Sequence, residues 1–253
     1  MLSIDLNCDM GEGFGVYKIG NDEQVMPYIT SANIACGFHA SDPVNMWKTV
    51  KLAVRHGVTI GAHPSYPDLA GFGRRAMDAT LDEISADVTY QIGALAAFCQ
   101  REGARLQHVK AHGALYNKAV DDHSVAIAIA QAIKAVDREL IMVCLSNSTM
   151  VTAAQQAGVP YVEEVFADRA YTHEGKLVPR DVEGAVLHDP EVISQRVLNM
   201  VRDKIVVAID GTKIPLKAQT ICVHGDSPGA FEMIKAIRSK LEEGNVALRP
   251  FGR

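Results

Sequence analysis

The sequence has no CxxC pair, no apolar run of about 20 residues and no cluster of lysine and arginine, and each absence removes a class of function. Its five cysteines, Cys8, Cys36, Cys99, Cys144 and Cys222, are odd in number and scattered. That pattern suits reduced thiols rather than a disulfide framework or a structural zinc site. Without the apolar run, no segment is expected to span a bilayer. A formal charge of -5 with no basic face argues against nucleic acid as the main partner, although a local anion site stays open. A Walker-type loop is missing too. GEGFG, Gly11 to Gly15, is followed by neither a Lys-Ser/Thr pair nor a long helix, so its glycines suit a tight rim turn as well as a nucleotide. The N-terminus, MLSIDLNCDMGE, has acidic residues where a signal peptide needs a basic region, and the chain is expected in the cytoplasm.

What is present is a regular alternation. At 253 residues, 48% hydrophobic and 22% charged, the chain suits one large domain, residues 1–253, at the usual length of an α/β barrel. Short β-rich runs with little polar alternation occur at Ile4 to Cys8, Ser31 to Cys36, Val58 to Ala62, Gln107 to Ala111, Ile141 to Leu145, Tyr161 to Ala167 and Gln219 to Val223. They read as parallel strands covered on both faces.

Helices between them carry their own punctuation. Asp42-Pro43 opens one, with Met46, Val50 and Val54 as its apolar stripe and Gly57 as its cap. Thr80 and Glu83 form a capping box before Ile84, Val88, Ile92 and Leu95, with Gly103 at the end. The signal repeats at Asp189-Pro190 before Ile193 and Val197, and at Ser227-Pro228 before Ile234, Ile237 and Leu241, closed by Gly244. Two stretches break the rhythm: residues 10 to 29 hold at most a short helix, and Asp210-Gly211 signals a hairpin within residues 205 to 218. The expected fold is an irregular (β/α) barrel of about seven parallel strands.

The chemistry gathers where the strands end. The first ends in Asn7 and Asp9, the second leads to His39, the third to His63, the fourth to Lys110 and His112, the sixth to Asp168, the seventh to His224 and Asp226. Side chains two apart share a strand face, so these residues converge on the C-terminal mouth, where barrel active sites are built. Any one such histidine is as often a packed, hydrogen-bonded residue; four at equivalent positions are a set. His56, His108, His123, His173 and His188 lie elsewhere and read as surface, capping or packing residues. The loop PSYPDLAGFGRRAMDA after the third strand is long enough to be a lid, and its Arg74 and Arg75 suit a carboxylate or phosphate. Arg169 is a second anion candidate, and Glu12 is placed for acid-base or metal-directed work.

DLNCDMGEGFG, SANIACGFHASDP, GAHPSYPDLAGFGRR, VKAHGALYN, EVFADRAY and VHGDSPGA together resemble the LamB/YcsF family, in order, from about residue 3 to about residue 245. One departure is Ser41, where the family pattern has glycine. The resemblance implies a barrel related to those of glycoside hydrolases and deacetylases. It also implies ATP-dependent opening of 5-oxo-L-proline to L-glutamate, carried out with two other subunits. A lactam is a stable amide, and ATP can activate it by phosphorylating the carbonyl oxygen. For that chemistry Asp9, Glu12, His39, His63, Lys110, His112, His224 and Asp226 are the catalytic candidates. Asn7, Asn33, Arg74, Asp168 and Arg169 are the substrate-binding ones. ATP is the expected co-substrate, with Mg2+ arriving on it, and self-association stays open.

Two alternatives remain. A metal-dependent amidase or carbohydrate deacetylase would use His39, His63 and Asp9 or Asp226 as ligands, though no HxxxH or HExxH spacing fixes them. A non-catalytic subunit would present substrate to a partner, which the missing phosphate loop favours.

Overall fold

A computed structural model describes residues 2–225 and 229–252. The apolar runs form β1 (Leu2–Met10), β2 (Ser31–Ala35), β3 (Thr59–His63), β4 (Leu106–Val109), β5 (Ile141–Leu145) and β6 (Tyr161–Phe166). An antiparallel pair, β7 (Ile205–Val207) and β8 (Lys213–Pro215), precedes β9 (Thr220–Val223). Strands β1 to β6 pair in sequence order, all parallel, and β9 lies between β6 and β1, closing a seven-stranded barrel. The hairpin at Asp210-Gly211 is thus β7–β8, outside the barrel. A further strand, β10 (Val246–Leu248), pairs with the outer start of β1. The sequence reading missed it because three residues offer no periodicity.

Strand parity sorts the two faces. In β1, Ile4, Leu6, Cys8 and Met10 pack outward into the main hydrophobic core with the surrounding helices, while Asp5, Asn7 and Asp9 face the interior. All five cysteines are free and buried. The helices are α1 (Asp22–Val25), α2 (Pro43–His56), α3 (Leu81–Arg101), α4 (Gly113–Asp121), α5 (His123–Val136), α6 (Thr149–Ala157), α7 (Pro190–Asp203) and α8 (Ala230–Glu243). The four-residue α1 is all the α-helix that follows β1, as residues 10 to 29 suggested. No helix among the described residues is long and apolar enough to cross a membrane.

The caps behave as their residue types require. Asp42 accepts from the backbone N–H of Val44 and Asn45, Thr80 and Glu83 close a capping box, and Asp189 accepts from Glu191 and Val192. The stripe on α2 needs one correction. Val54 is 42% exposed, and Ala53 takes its place beside Met46 and Val50, because the turn of about 100° per residue carries position 54 off the buried face. Ser227-Pro228 and Asp226 lie outside the described residues, and the helix they were expected to open is seen from Ala230.

Candidate active site

The barrel interior is polar, and its polar groups pair with one another apart from Thr59 Oγ1 and His108 Nδ1, which are buried without a hydrogen-bond partner among the described residues. Asn33 Nδ2 donates to Asn7 Oδ1 (2.7 Å) and Asp9 Oδ1 (2.8 Å), while Asn7 Nδ2 donates to Glu164 Oε1 (3.0 Å) and Thr220 Oγ1 (2.6 Å). Lys110 rises through the centre. Its Nζ lies 2.9 Å from Glu164 Oε1, 3.2 Å from Asp9 Oδ1 and 2.9 Å from Cys222 Sγ. Burial pushes the ammonium down, but Asp9, Cys222 and Glu164 around it reverse this and hold it well above its ordinary value. Burial likewise pushes Asp9 up, and His63 and Lys110 more than offset it, so the carboxylate stays ionised. Beneath this layer His108 packs on Gly61, where a side-chain Cβ would collide with its ring, and Nε2 donates to Asn33 Oδ1 (2.9 Å).

Above that floor three of the strand-end histidines meet. His63 ends β3, His112 caps α4, and His39 lies in the bends between β2 and α2. The His39 and His112 rings stack at 3.7 Å with planes 6° apart, and His63 stands edge-on to both. Glu12, from the glycine-rich loop, brings Oε1 to 3.3 Å from His39 Nε2 and 3.8 Å from His112 Nδ1. Burial and the neighbouring imidazoles hold His39 and His112 well below the usual histidine value, so both rings are neutral.

The loops are locked around this group. Gln91 of α3 clasps Ser65 through both its backbone N–H (3.0 Å) and its carbonyl (2.9 Å), and Ser65 Oγ meets His39 Nδ1 (3.1 Å). Two non-glycine residues take left-handed backbone here: Ser41, with φ 76, and Phe72, with φ 54. The first explains why a glycine was expected before Asp42. The second turns the Phe72 carbonyl onto His112 Nε2 (2.9 Å), local strain held at a functional site.

A cleft of about 1060 Å³ opens over the floor, lined by Asp9, Glu12, His63, Lys110 and His112 below and by Arg74, Arg169 and His224 at the sides. His224 Nδ1 lies 3.0 and 2.9 Å from the two Asp168 carboxylate oxygens. Burial raises Asp168, but the His224 beside it, a backbone hydrogen bond and Arg180 nearby together hold it below its ordinary value. The ionised carboxylate fixes the ring with Nδ1 as donor, leaving Nε2 as the basic nitrogen. Arg196 of α7 anchors this turn by donating to the carbonyls of Ala167 (2.7 Å) and Arg169 (2.8 Å).

The candidates therefore separate by depth. Asn7, Asn33 and Asp168 do not line the cleft; one layer down, they hold Asp9, Lys110 and His224, which do. His39 is fully buried behind His112. Arg75 is taken by Asp68 and Arg74 stacks on Phe72, so the two arginines part company. Arg169 donates to the Val178 carbonyl (2.5 Å) while its buried Nε has no hydrogen-bond partner among the described residues, and burial with Arg180 nearby brings it down to about 10. Asp226 lies outside the described residues. The sequence reading missed Glu164, Tyr116, whose hydroxyl donates to Glu164 Oε2 (2.9 Å), and Lys176 and Arg180 on the cleft wall. The last two sit in residues 167–189, a connection long enough to have been flagged by the rule that marked the loop after β3.

Comparison with known proteins agrees along the whole chain. A model of the LamB/YcsF family matches residues 4–253. A protein of Acinetobacter baumannii named as the A subunit of 5-oxoprolinase is 53% identical over 248 residues, 98% of this chain and 98% of its own. One of the same name in Clostridium beijerinckii is 53% identical over 250 residues, 99% and 98%. The crystal structure of a lactam utilization protein from Thermus thermophilus matches with a TM-score of 0.94 and 46% identity, covering 99% of this chain and 100% of that one. A GH113 beta-1,4-mannanase, 11% identical with a TM-score of 0.53 over 96% and 99%, shares the fold alone.

Proposed function

The chain belongs to the LamB/YcsF family, and from that premise we propose that it is the A subunit of an ATP-dependent 5-oxoprolinase. In this reading it hydrolyses 5-oxo-L-proline to L-glutamate while ATP becomes ADP and phosphate. It works in the cytoplasm with two further subunits, and Mg2+ arrives with the nucleotide. Support comes from relatives that carry the 5-oxoprolinase name and match nearly end to end.

The observation that carries the reading is the pairing, in one cleft, of an Asp168-oriented His224 with the arginines Arg74 and Arg169. The reaction needs both. Phosphoryl transfer from ATP to the lactam oxygen gives an O-phosphorylated imidate and ADP, and cations must hold the phosphate and the substrate carboxylate. A first water then adds at the activated carbon, giving its proton to His224 Nε2. The C–N bond breaks as the ring nitrogen takes up a proton, leaving an acyl phosphate. A second water releases the phosphate and completes the glutamate side chain. Lys110 stays ionised at the cleft floor, paired with Asp9 and Glu164. The cleft is far larger than a five-membered ring acid needs, which leaves room for a phosphate-bearing group or a partner segment.

The test is reconstitution. Glutamate and ADP are measured from 5-oxoproline and ATP with this chain alone, with the two partner subunits, and with the partners lacking it. Glutamate formed in step with ADP by the full set only is the expected result. Equal turnover without this chain contradicts the reading, and glutamate formed without ATP points instead to hydrolysis by water activation alone.

A further inference from the structure

We propose that Arg169 and Arg180 form a carboxylate subsite in the wall of the cleft, which holds the acid group of the substrate and turns away lactams that lack one. The inference rests on the oxoprolinase reading for the identity of the acid, and it is tested by binding, without turnover.

Arg169 is 6% exposed, yet among the described residues its guanidinium forms no ion pair with a carboxylate. Nη2 donates to the Val178 carbonyl (2.5 Å), which fixes the fork without neutralising it. Asp168, next in the chain, is engaged through both oxygens with His224 Nδ1. Arg180, exposed on the same wall, has no ion pair among the described residues either. Burial, and then the like charges of Arg180 and Arg74, bring Arg169 down to about 10. Three acids of the rim are committed elsewhere: Asp121 and Glu174 hold Lys176 (2.8 and 3.2 Å), and Asp210 lies 3.9 Å from His173. A buried cation is costly unless an anion answers it. Arg169 and Arg180 both line the cleft, so an anion entering there meets the two together.

The subsite also stands beside the proposed base. Asp168, which holds His224, and Arg169 share one turn, and the His224 ring stacks on Phe166, with centroids 5.6 Å and planes 23° apart. Phe166 lines the cleft as well. In 5-oxoproline the carboxylate and the reacting carbonyl flank the ring nitrogen, and the methylenes lie opposite. With the carboxylate on Arg169 and Arg180, the methylenes meet the Phe166 face and the carbonyl carbon meets water activated at His224 Nε2. A planar guanidinium matches a planar carboxylate in bidentate fashion. Its fixed position suits a group that is unchanged from substrate to product, whereas the phosphoryl group comes and goes. Arg74, from the loop after β3, stands across the barrel from β6 with β4 and β5 between, and serves the phosphoryl group there. A neutral lactam leaves the buried guanidinium unanswered and binds poorly for that reason.

The test uses the full chain and ligand-observed NMR, with 5-oxo-L-proline and the neutral 2-pyrrolidinone titrated separately. 5-Oxo-L-proline should bind about 10-fold more tightly or better, the size of one charge-assisted hydrogen bond. Arg169→Gln should bring that ratio to about 1 by weakening 5-oxo-L-proline while leaving 2-pyrrolidinone as it was. Arg180→Gln, on the exposed part of the wall, should lower the ratio too, and decides the matter where Arg169→Gln does not fold. In the reassembled complex the KM for 5-oxoproline should rise in both variants while that for ATP stays. A chain that binds both lactams equally, or neither, overturns the proposal, as does a ratio that survives Arg180→Gln or a KM that rises for ATP alone. A full set of subunits that forms no glutamate contradicts the oxoprolinase reading instead, and the binding ratio still judges the carboxylate subsite.

Discussion

Lys110 and Glu164 form a 2.9 Å ion pair inside the barrel, with both side chains withdrawn from solvent. One arises just past β4 and the other from the middle of β6, so the pair ties together strands that do not neighbour each other. Lys110→Met leaves Glu164 and Asp9 buried without their cation. It should lower unfolding free energy by about 3–5 kcal/mol, read from urea denaturation. Adding Glu164→Leu to the same chain should recover part of that loss. A Lys110→Met chain as stable as wild type contradicts the ion-pair account.

His108 gives the fold an acid sensitivity. Burial, with Lys110 and His63 adding to it, lowers its pKa from 6.5 to about 3. The folded chain keeps the ring neutral where the unfolded chain protonates it, so its contribution is fully present above about 6.5 and lost as pH falls from there toward about 3. Each pH unit in that window costs up to about 1.4 kcal/mol from this group. His108→Gln should flatten the fall in stability between about pH 6.5 and 5, measured by chemical denaturation at each pH. An unchanged slope contradicts the assignment.

Gly73 sits at φ +65 with its Cα hydrogens against the histidine stack. A Cβ there would lie 2.8 Å from both His112 Cδ2 and His39 Cβ. Gly73→Ala should therefore lower glutamate formation by the assembled complex while changing stability by no more than about 1–3 kcal/mol. Normal turnover in this variant means that the stack does not need its present position.

Arg169 tests anion recognition. Arg169→Lys keeps a charge and loses the planar fork, including the buried Nε that has no hydrogen-bond partner among the described residues. The KM for 5-oxoproline or ATP should rise about 10–100-fold, the range of one lost charge-assisted hydrogen bond, with kcat little altered. A fall in kcat at constant KM assigns Arg169 to the chemical step instead.

Much of this was legible in the sequence, and the rest was not, for reasons of distance. All seven barrel strands were readable because β-rich runs bounded by turn residues and capped helices alternate without interruption. His39, His63 and His112 were readable as a set because each lies at the same point of its βα unit. Glu164 was not. In YVEEVF one of two adjacent glutamates must face inward, but which one depends on register with Thr220, 56 residues on. The same applies to Asn7, whose parity was evident while its depth below the cleft was not. Ser41 shows the reverse case: the expected glycine reflected a left-handed backbone that the structure retains with a serine in place.

The most direct test of the account is the initial rate of glutamate formation by the complex reassembled with His224→Ala, with folding and assembly checked in the same preparation. The ring lines the cleft, and its Nδ1 is committed to Asp168, so its loss removes the proposed base for water. The account predicts a fall in kcat of about 100- to 10,000-fold. Turnover equal to that of the unaltered complex would contradict it and move the chemistry elsewhere in the assembly.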